Sequence, residues 1–260
     1  MKEFTGENVN EERVSLIDNK YTKNIASPFI NHQKSWDDNE HYVIPADIRK
    51  NIEDNLGFLK PSNIQAFSIP MIMQPPYHNL IAQARNGCGK TGCFAIGSTL
   101  RIDRDDPSVQ VLVVVNTREL CNQISEVYSK IIEGTGITLS NFMVSTKESQ
   151  IIVSTHGKVE PLTRGRKPMS LARLKCMVID EADVFLMDEK NFLTLKSIAN
   201  CKDLRDRKEE NKVQWILFSA TYPEGKDHSY ELVQQRMSEV VENAQQIQIK
   251  AEKLRLEHVK

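Results

Sequence analysis

"LIAQARNGCGKTGCF", Leu80–Phe94, decides how the rest of the chain is read. A short apolar run enters a turn spaced by Gly87 and Gly89, passes Lys90 and Thr91, and continues into a stretch of helical character. A strand feeding a glycine-spaced turn and then a helix aims backbone N–H groups and the positive helix end at one point, which suits a phosphate. Lys90 would reach the β- and γ-phosphates of a nucleotide, and Thr91 would hold Mg²⁺ through its hydroxyl. The common form of this loop has Gly where this chain has Ala84. A glycine turn also arises by chance, so the flanking strand and helix carry the assignment.

Working outward, apolar runs of strand length alternate with stretches of helical length. "NLIAQA" (79–84), "VLVVV" (111–115), "QIIVST" (150–155), "CMVID" (176–180), "WILFS" (215–219) and "IQI" (247–249) are short, apolar and partly β-branched, as strands buried on both faces should be. "GKTGCFAIGSTLR", "RELCNQISEVYSKIIEG", "NFLTLKSIAN" and "SYELVQQRMSEVVENA" lie between them and read as helices. Upstream, "ADIRKNIEDN" (46–55) and "PSNIQAFSIPMIM" (61–73) read as two more. This alternation predicts an α/β fold, a mainly parallel sheet with helices on both faces.

The 260 residues suffice for a sizeable core, and 40% apolar with 27% charged residues fits a folded soluble protein. A net charge of −1 argues against a highly charged nucleic-acid-binding tail but leaves room for a local basic groove. Cys88, Cys93, Cys121, Cys176 and Cys201 form no C-x-x-C pair, so neither a metal cluster nor a disulfide framework is expected, and a reducing compartment is. The N-terminus is polar and mixed in charge, unlike a signal peptide, and no apolar run approaches the roughly 20 residues of a membrane span. Residues 1–35 lack sustained periodicity and are expected to form a flexible or regulatory extension. Residues 36–250 are expected to form one domain, and the charged stretch 251–260 to start a linker.

"VIDEAD", Val178–Asp183, is the second element of chemistry. An apolar strand ending in Asp180-Glu181 is where a Mg²⁺-holding carboxylate and a water-activating carboxylate would stand beside a phosphate loop. Two carboxylates after a strand are equally the letters of a solvated strand end; the phosphate loop upstream favours the chemical reading.

The letters themselves resemble one family. Asp180-Glu181-Ala182-Asp183 spell the name of the DEAD-box RNA helicases, and Ser219-Ala220-Thr221 match that family's SAT motif. "GFLKPSNIQ" (57–65) is similar to its Q motif, and Ala84, Gly87, Gly89, Lys90 and Thr91 satisfy its A-x-x-G-x-G-K-T, with Cys88 where Thr or Ser is usual. "TREL" (117–120) resembles motif Ia and "THGK" (155–158) motif Ib. The resemblance covers about residues 36–260. It implies a RecA-like P-loop NTPase domain, the amino-terminal lobe of an ATP-dependent enzyme that binds ATP and Mg²⁺ and remodels RNA or ribonucleoprotein. Phe58, Ser62, Gln65, Ala84, Gly87, Cys88, Gly89, Lys90, Thr91 and Asp183 would bind nucleotide, Gln65 by pairing with the adenine edge and Phe58 by stacking on the base. Thr91 and Asp180 would hold the metal. Lys90, Asp180, Glu181, Ser219 and Thr221 would serve hydrolysis and its coupling to RNA. Thr117, Arg118, Thr155, Gly157 and Lys158 would grip the backbone of single-stranded RNA without reading sequence.

Within that family, the Pro-Pro-Tyr turn at 75–77, "DEADVFL", and "SPFINHQKSWDD", with Trp36 where Phe is usual, are similar to the branch serving mRNA export at the nuclear pore. That resemblance implies messenger ribonucleoprotein, nuclear-pore and export factors as partners, a monomer, and a location in cytoplasm and nucleus. Several letters depart from the pattern. Asn116 and Cys121 stand for the usual Pro and Ala that bracket motif Ia, and His156 and Lys158 for the Pro and Arg of motif Ib. The Gly-Gly motif between them is missing, as is any arginine motif of the second lobe. Two other readings stay open on sequence: an ATP-sensing module that docks on an export or pore factor without turnover, and another P-loop ATPase such as a DNA helicase.

Overall fold

Val111–Val115 (β4) and Cys176–Asp180 (β7) are buried at every position, because helices cover both faces of the sheet they occupy. In this computed structural model, which describes residues 13–18, 21–23, 35–37, 42–142, 149–164, 168–208, 211–220, 228–241 and 245–250, they belong to a single nine-stranded sheet. The other strands are β1 (Arg13–Asp18), β2 (Tyr21–Lys23), β3 (Leu80–Gln83), β5 (Leu139–Asn141), β6 (Ile151–Thr155), β8 (Gln214–Ser219) and β9 (Gln245–Lys250). Their order is β2-β1-β9-β3-β8-β7-β4-β6-β5. From β9 to β5 every neighbouring pair is parallel; β1 and β2 join antiparallel.

Alternation along each strand divides the core in two. Val111, Val113 and Val115 of β4, with Cys176 and Val178 of β7, face one cluster; Leu112, Val114, Met177 and Ile179 face the other. The first cluster packs under α1 (Ala46–Asp54), α2 (Asn63–Met73), α3 (Lys90–Leu100) and α4 (Arg118–Ile132), with Phe67, Phe94 and Tyr128 among its large side chains. The second packs under α5 (His156–Arg164), α6 (Ala182–Met187), α7 (Glu189–Ala199), the short α8 (Lys202–Arg205) and α9 (His228–Val240), with Phe185, Phe192 and Leu195. Each fully buried Val, Ile, Leu or Phe here contributes roughly 1.5–3 kcal/mol of transfer free energy.

The predicted α/β architecture is therefore present, with all six expected strands and all six expected helices. Four further elements fall among stretches read only for their letters or not read at all: β5, α5, α6 and α8. Each is too short or too interrupted for periodicity to show, β5 at three residues, α6 at six, α8 at four, and α5 with Pro161 inside it. Residues 13–18 and 21–23 fall in the stretch expected to be a flexible extension, yet their backbone forms β1 and β2. Pairing with β9 covers what would otherwise be a sheet edge and needs only main-chain groups. The remainder of residues 1–34, and the stretch 251–260 read as a linker, lie outside the described residues. Trp36, where the domain was expected to begin, is buried, and its indole N–H donates to the Phe58 carbonyl at 2.6 Å.

Candidate functional site

Three neighbouring strands deliver the chemistry-bearing letters to one edge of the sheet. β3 enters the glycine loop, β8 ends at Ser219, and β7 ends at Asp180. The register pairs Gln83 with Ser219 and Phe218 with Asp180, and the Ala84 N–H donates to the Ser219 carbonyl at 3.1 Å. β8 thus lies between the strands of the glycine loop and the acidic pair. The next two strands continue the row: β4 leads into Asn116, Thr117 and Arg118, and β6 ends at Thr155 before His156, Gly157 and Lys158. Such an edge, where successive connections leave for opposite faces, is where open α/β sheets form a crevice.

Gly87 and Gly89 have φ of +80° and +94°, in the left-handed region that side chains disfavour. Gly89 caps α3, so the glycine turn runs directly into the helix N-terminus, the end that suits a phosphate. The Lys90 ammonium donates to the Ala84 carbonyl at 2.7 Å and to Asn86 Oδ1 at 3.1 Å, spanning the loop. Thr91 sits in the first turn of α3.

The segment 58–65 packs directly on this loop. Ser62 Oγ donates to the Cys88 carbonyl at 2.9 Å. Gln65 is 2% exposed; its Oε1 accepts from the Ser62 N–H at 2.9 Å, closing a capping box on α2, and its Nε2 donates to the Gly89 carbonyl at 3.3 Å. A Cβ on Gly89 would lie 2.9 Å from Gln65 Nε2, and one on Gly92 would lie 2.8 Å from both Gln65 Nε2 and Phe58 Cε2. Glycine at both positions lets the two segments touch. Gln65 and Phe58, expected to read the base, therefore also lie against the glycines that open α3. One donor and one acceptor position of the Gln65 amide are committed inside the protein.

Asp180 is 7% exposed, and burial pushes its carboxyl up to about 6 against the opposing pull of the Glu181 N–H and the Lys90 charge. That N–H donates to Asp180 Oδ1 at 3.0 Å. Glu181 adopts φ +55°, ψ +46°, a left-handed geometry that costs a non-glycine residue roughly 1–2 kcal/mol. It caps α6, and its Oε2 accepts from Asn116 Nδ2 at 3.4 Å. The sequence marked Asn116 only as a departure from a motif; its closeness to Glu181 comes from the β4–β7 pairing. Asp183 lies in the first turn of α6. Ser219 is fully buried. Thr221 lies outside the described residues.

Thr117, Arg118, Gly157 and Lys158 are all exposed, and Thr155 is half-buried, on two adjacent strand ends. Thr117 caps α4, its Oγ1 accepting from the Leu120 N–H at 3.2 Å. Gly157 and Lys158 belong to the first turn of α5 rather than to a loop. The five residues therefore form one row, exposed except for half-buried Thr155, on the side of the acidic pair away from the glycine loop.

A family model for the DEAD/DEAH box helicases matches residues 62–228. The chain belongs to this family. "DEAD-box ATP-dependent RNA helicase 38" of Oryza sativa subsp. japonica is 32% identical over 234 residues, which are 85% of this chain and 44% of that protein. Among solved structures, S. cerevisiae Dbp5 bound to RNA and ADP BeF3 superposes with a TM-score of 0.68 at 32% identity, covering 82% of this chain and 51% of that one. A Dbp5 variant bound to Nup159, a Gle1 variant, IP6 and ADP gives 0.67 at 30% identity, covering 80% and 52%. The chain spans about half the length of these DEAD-box relatives. Its sheet order and motif order give it the RecA-like fold that the resemblance implied.

Proposed function

We propose that residues 36–250 are the nucleotide-binding lobe of an ATP-dependent RNA helicase, an ATP hydrolase that works with a second RecA-like lobe joined through 251–260. The observation that carries this reading is the convergence of the Lys90 loop, Ser219 and the Asp180–Glu181 pair on three adjacent strand ends. The loop amides and α3 receive the phosphates, Lys90 neutralises their charge, and Glu181 accepts the proton of the attacking water. Phe58, Ser62 and Gln65 form the adenine side and brace the loop that Ala84, Gly87, Cys88 and Gly89 build. Ser219 and Thr221 link the acidic pair, with Asp183, to RNA binding.

Thr91 and Asp180 offer a hydroxyl and a buried carboxylate, hard oxygen donors suited to Mg²⁺. Mg²⁺ in nucleotide sites commonly keeps several waters and takes substrate phosphates as further ligands, so two protein oxygens suffice. When bound, it would neutralise phosphate charge. Thr117, Arg118, Thr155, Gly157 and Lys158 take the RNA backbone, a sequence-independent grip fitting ribonucleoprotein remodelling. The relatives seen with RNA, and with Nup159 and Gle1, support single-stranded RNA and pore or export factors as partners, and a role in mRNA export between nucleus and cytoplasm.

Titration calorimetry of Mg·ATP on the chain and on Lys90→Ala tests the core of this reading. Losing a charge-assisted phosphate contact should weaken binding about tenfold or more; equal affinities would sink it.

A further inference from the structure

Between the two rows of the site stands Asn116, which neither the glycine loop nor the exposed strip includes. We infer that Asn116 is a positioning residue for Glu181: its amide holds the carboxylate in place and ties it to the segment that opens the exposed strip. This rests on the proposed reading of Glu181 as the group that accepts the water's proton.

Three observations converge on the pair. First, register brings them together. β4 and β7 pair from Val111 with Cys176 to Val114 with Ile179, and continuing that register two residues sets Asn116 beside Glu181. Each residue immediately follows the end of its strand, so the paired strands deliver the two to the same place. Second, the amide has one sensible orientation. Nδ2 donates to Glu181 Oε2 at 3.4 Å, whereas a flipped amide would turn its oxygen toward a carboxylate. Third, Asn116 Oδ1 is buried and has no hydrogen-bond partner among the described residues. A buried acceptor left unpaired costs stability, and such groups need a reason. An apolar side chain would avoid that cost, so what the amide supplies here is the donor aimed at Glu181.

The surroundings make the contact useful. Glu181 has a left-handed backbone, a conformation that persists only where its surroundings hold it. Asn116 is held on both sides, by β4 before it and by the Thr117 cap of α4 after it. A shift in Thr117 or Arg118 on binding a phosphodiester backbone would therefore pass to Glu181 through one side chain. The motif this segment resembles has Pro at the position, which offers no donor, so the contact is a property of this chain.

The test has two arms. In the 260-residue chain, urea denaturation midpoints are measured for Asn116→Ala, Glu181→Ala and the double variant. A real contact makes the double shift smaller than the sum of the single shifts; additive shifts would overturn the contact. In the chain joined to a second RecA-like lobe, RNA-stimulated phosphate release is measured for Asn116→Ala, Asn116→Asp and Glu181→Gln. Misplacing the carboxylate should lower kcat about tenfold for Asn116→Ala with the KM for ATP unchanged. Asn116→Asp, isosteric but repelling Glu181, should lose more. If Asn116→Asp turns over normally while Glu181→Gln is inert, the positioning role is wrong and the reading of Glu181 stands. If Glu181→Gln turns over normally, that reading fails and the role of Asn116 falls with it.

Discussion

Asp180 shows most directly how single residues set the behaviour of this site. The unfolded chain releases its proton near 3.8, the native chain near 6, and the larger cause is burial. Between those values the native state binds more protons than the unfolded state. Asp180 therefore makes stability fall as pH rises through that window, with no further change from this group above it. Asp180→Asn removes that dependence. Denaturation midpoints of the two proteins should draw apart from about pH 4 to pH 6.5, with the wild type losing ground; parallel curves would show that the carboxyl is not held up. Under the proposed function, the same window should appear as Mg²⁺-dependent ATP affinity that rises with pH through about 6, because a metal needs the carboxylate. Gln65 makes a second case. With its amide bonded to Gly89 and to Ser62, Gln65→Glu would set a carboxylate against the Gly89 carbonyl. We expect affinity for ATP and GTP to fall together in competition binding; a loss confined to ATP would mean that Gln65 acts on the base and not through the loop. The letters of both motifs were legible in the sequence. What they could not show was that Asp180 is buried, or that the Gln65 amide reaches Gly89, since both depend on segments more than 20 residues apart meeting in the fold.

At the scale of elements, the long features were readable and the short ones were not. "VLVVV" and "CMVID" announce buried strands because burial on both faces leaves no polar alternation to confuse the pattern. α6 left no such signal, yet it carries the acidic pair at its N-terminus. Its other end is held by α9: Arg236, 9% exposed, donates to the Leu186 and Met187 carbonyls at 2.9 and 3.0 Å, lies 4.9 Å from the Phe192 ring centroid, and pairs with Glu189. These are the last carbonyls of α6, which a helix leaves without internal donors. Arg236→Ala should cost about 2–3 kcal/mol, because charge-assisted bonds to buried carbonyls are lost. Glu189→Ala should cost far less, since its side chain is 65% exposed and an exposed ion pair contributes little. Urea unfolding of the two variants decides; equal losses would mean that the ion pair, not the helix cap, is what Arg236 supplies. Three buried glutamines do comparable work at the opposite edge of the sheet. Gln110 and Gln150 hold the carbonyls of Asp103 and Asp106, and Gln214 those of Met71 and His78. The sequence does not single them out, because their partners lie in loops and at the end of α2 that only the folded sheet brings near.

For the whole molecule, the charge balance of the site argues that it does not work alone. The charged groups that bear on Asp180 are Lys90, Glu181 and Asp183, so one cation faces three carboxylates before any nucleotide enters. A nucleoside triphosphate adds several negative charges, and phosphoryl transfer moves more onto the leaving oxygen. Under the proposed function, Mg²⁺ held by Thr91 and Asp180 would offset part of this; an arginine supplied from outside can add roughly 10³–10⁵ in rate. The exposed strip tells the same story from the other side. Thr117, Arg118, Gly157 and Lys158 offer two cationic side chains on two strand ends, enough to touch a backbone but a shallow grip on it. Relatives about twice this length carry chain beyond what is matched here. We therefore expect residues 1–260 alone to bind ATP weakly, to hydrolyse it at a barely detectable rate, and to gain little from single-stranded RNA. Joining a second RecA-like lobe should restore RNA-stimulated turnover, because it brings positive charge to the phosphates and a second face to the RNA. Phosphate release with and without RNA, on both proteins, is the measurement. Strong RNA-stimulated turnover by the 260 residues alone would mean that an arginine of this chain, or of a second copy of it, completes the site.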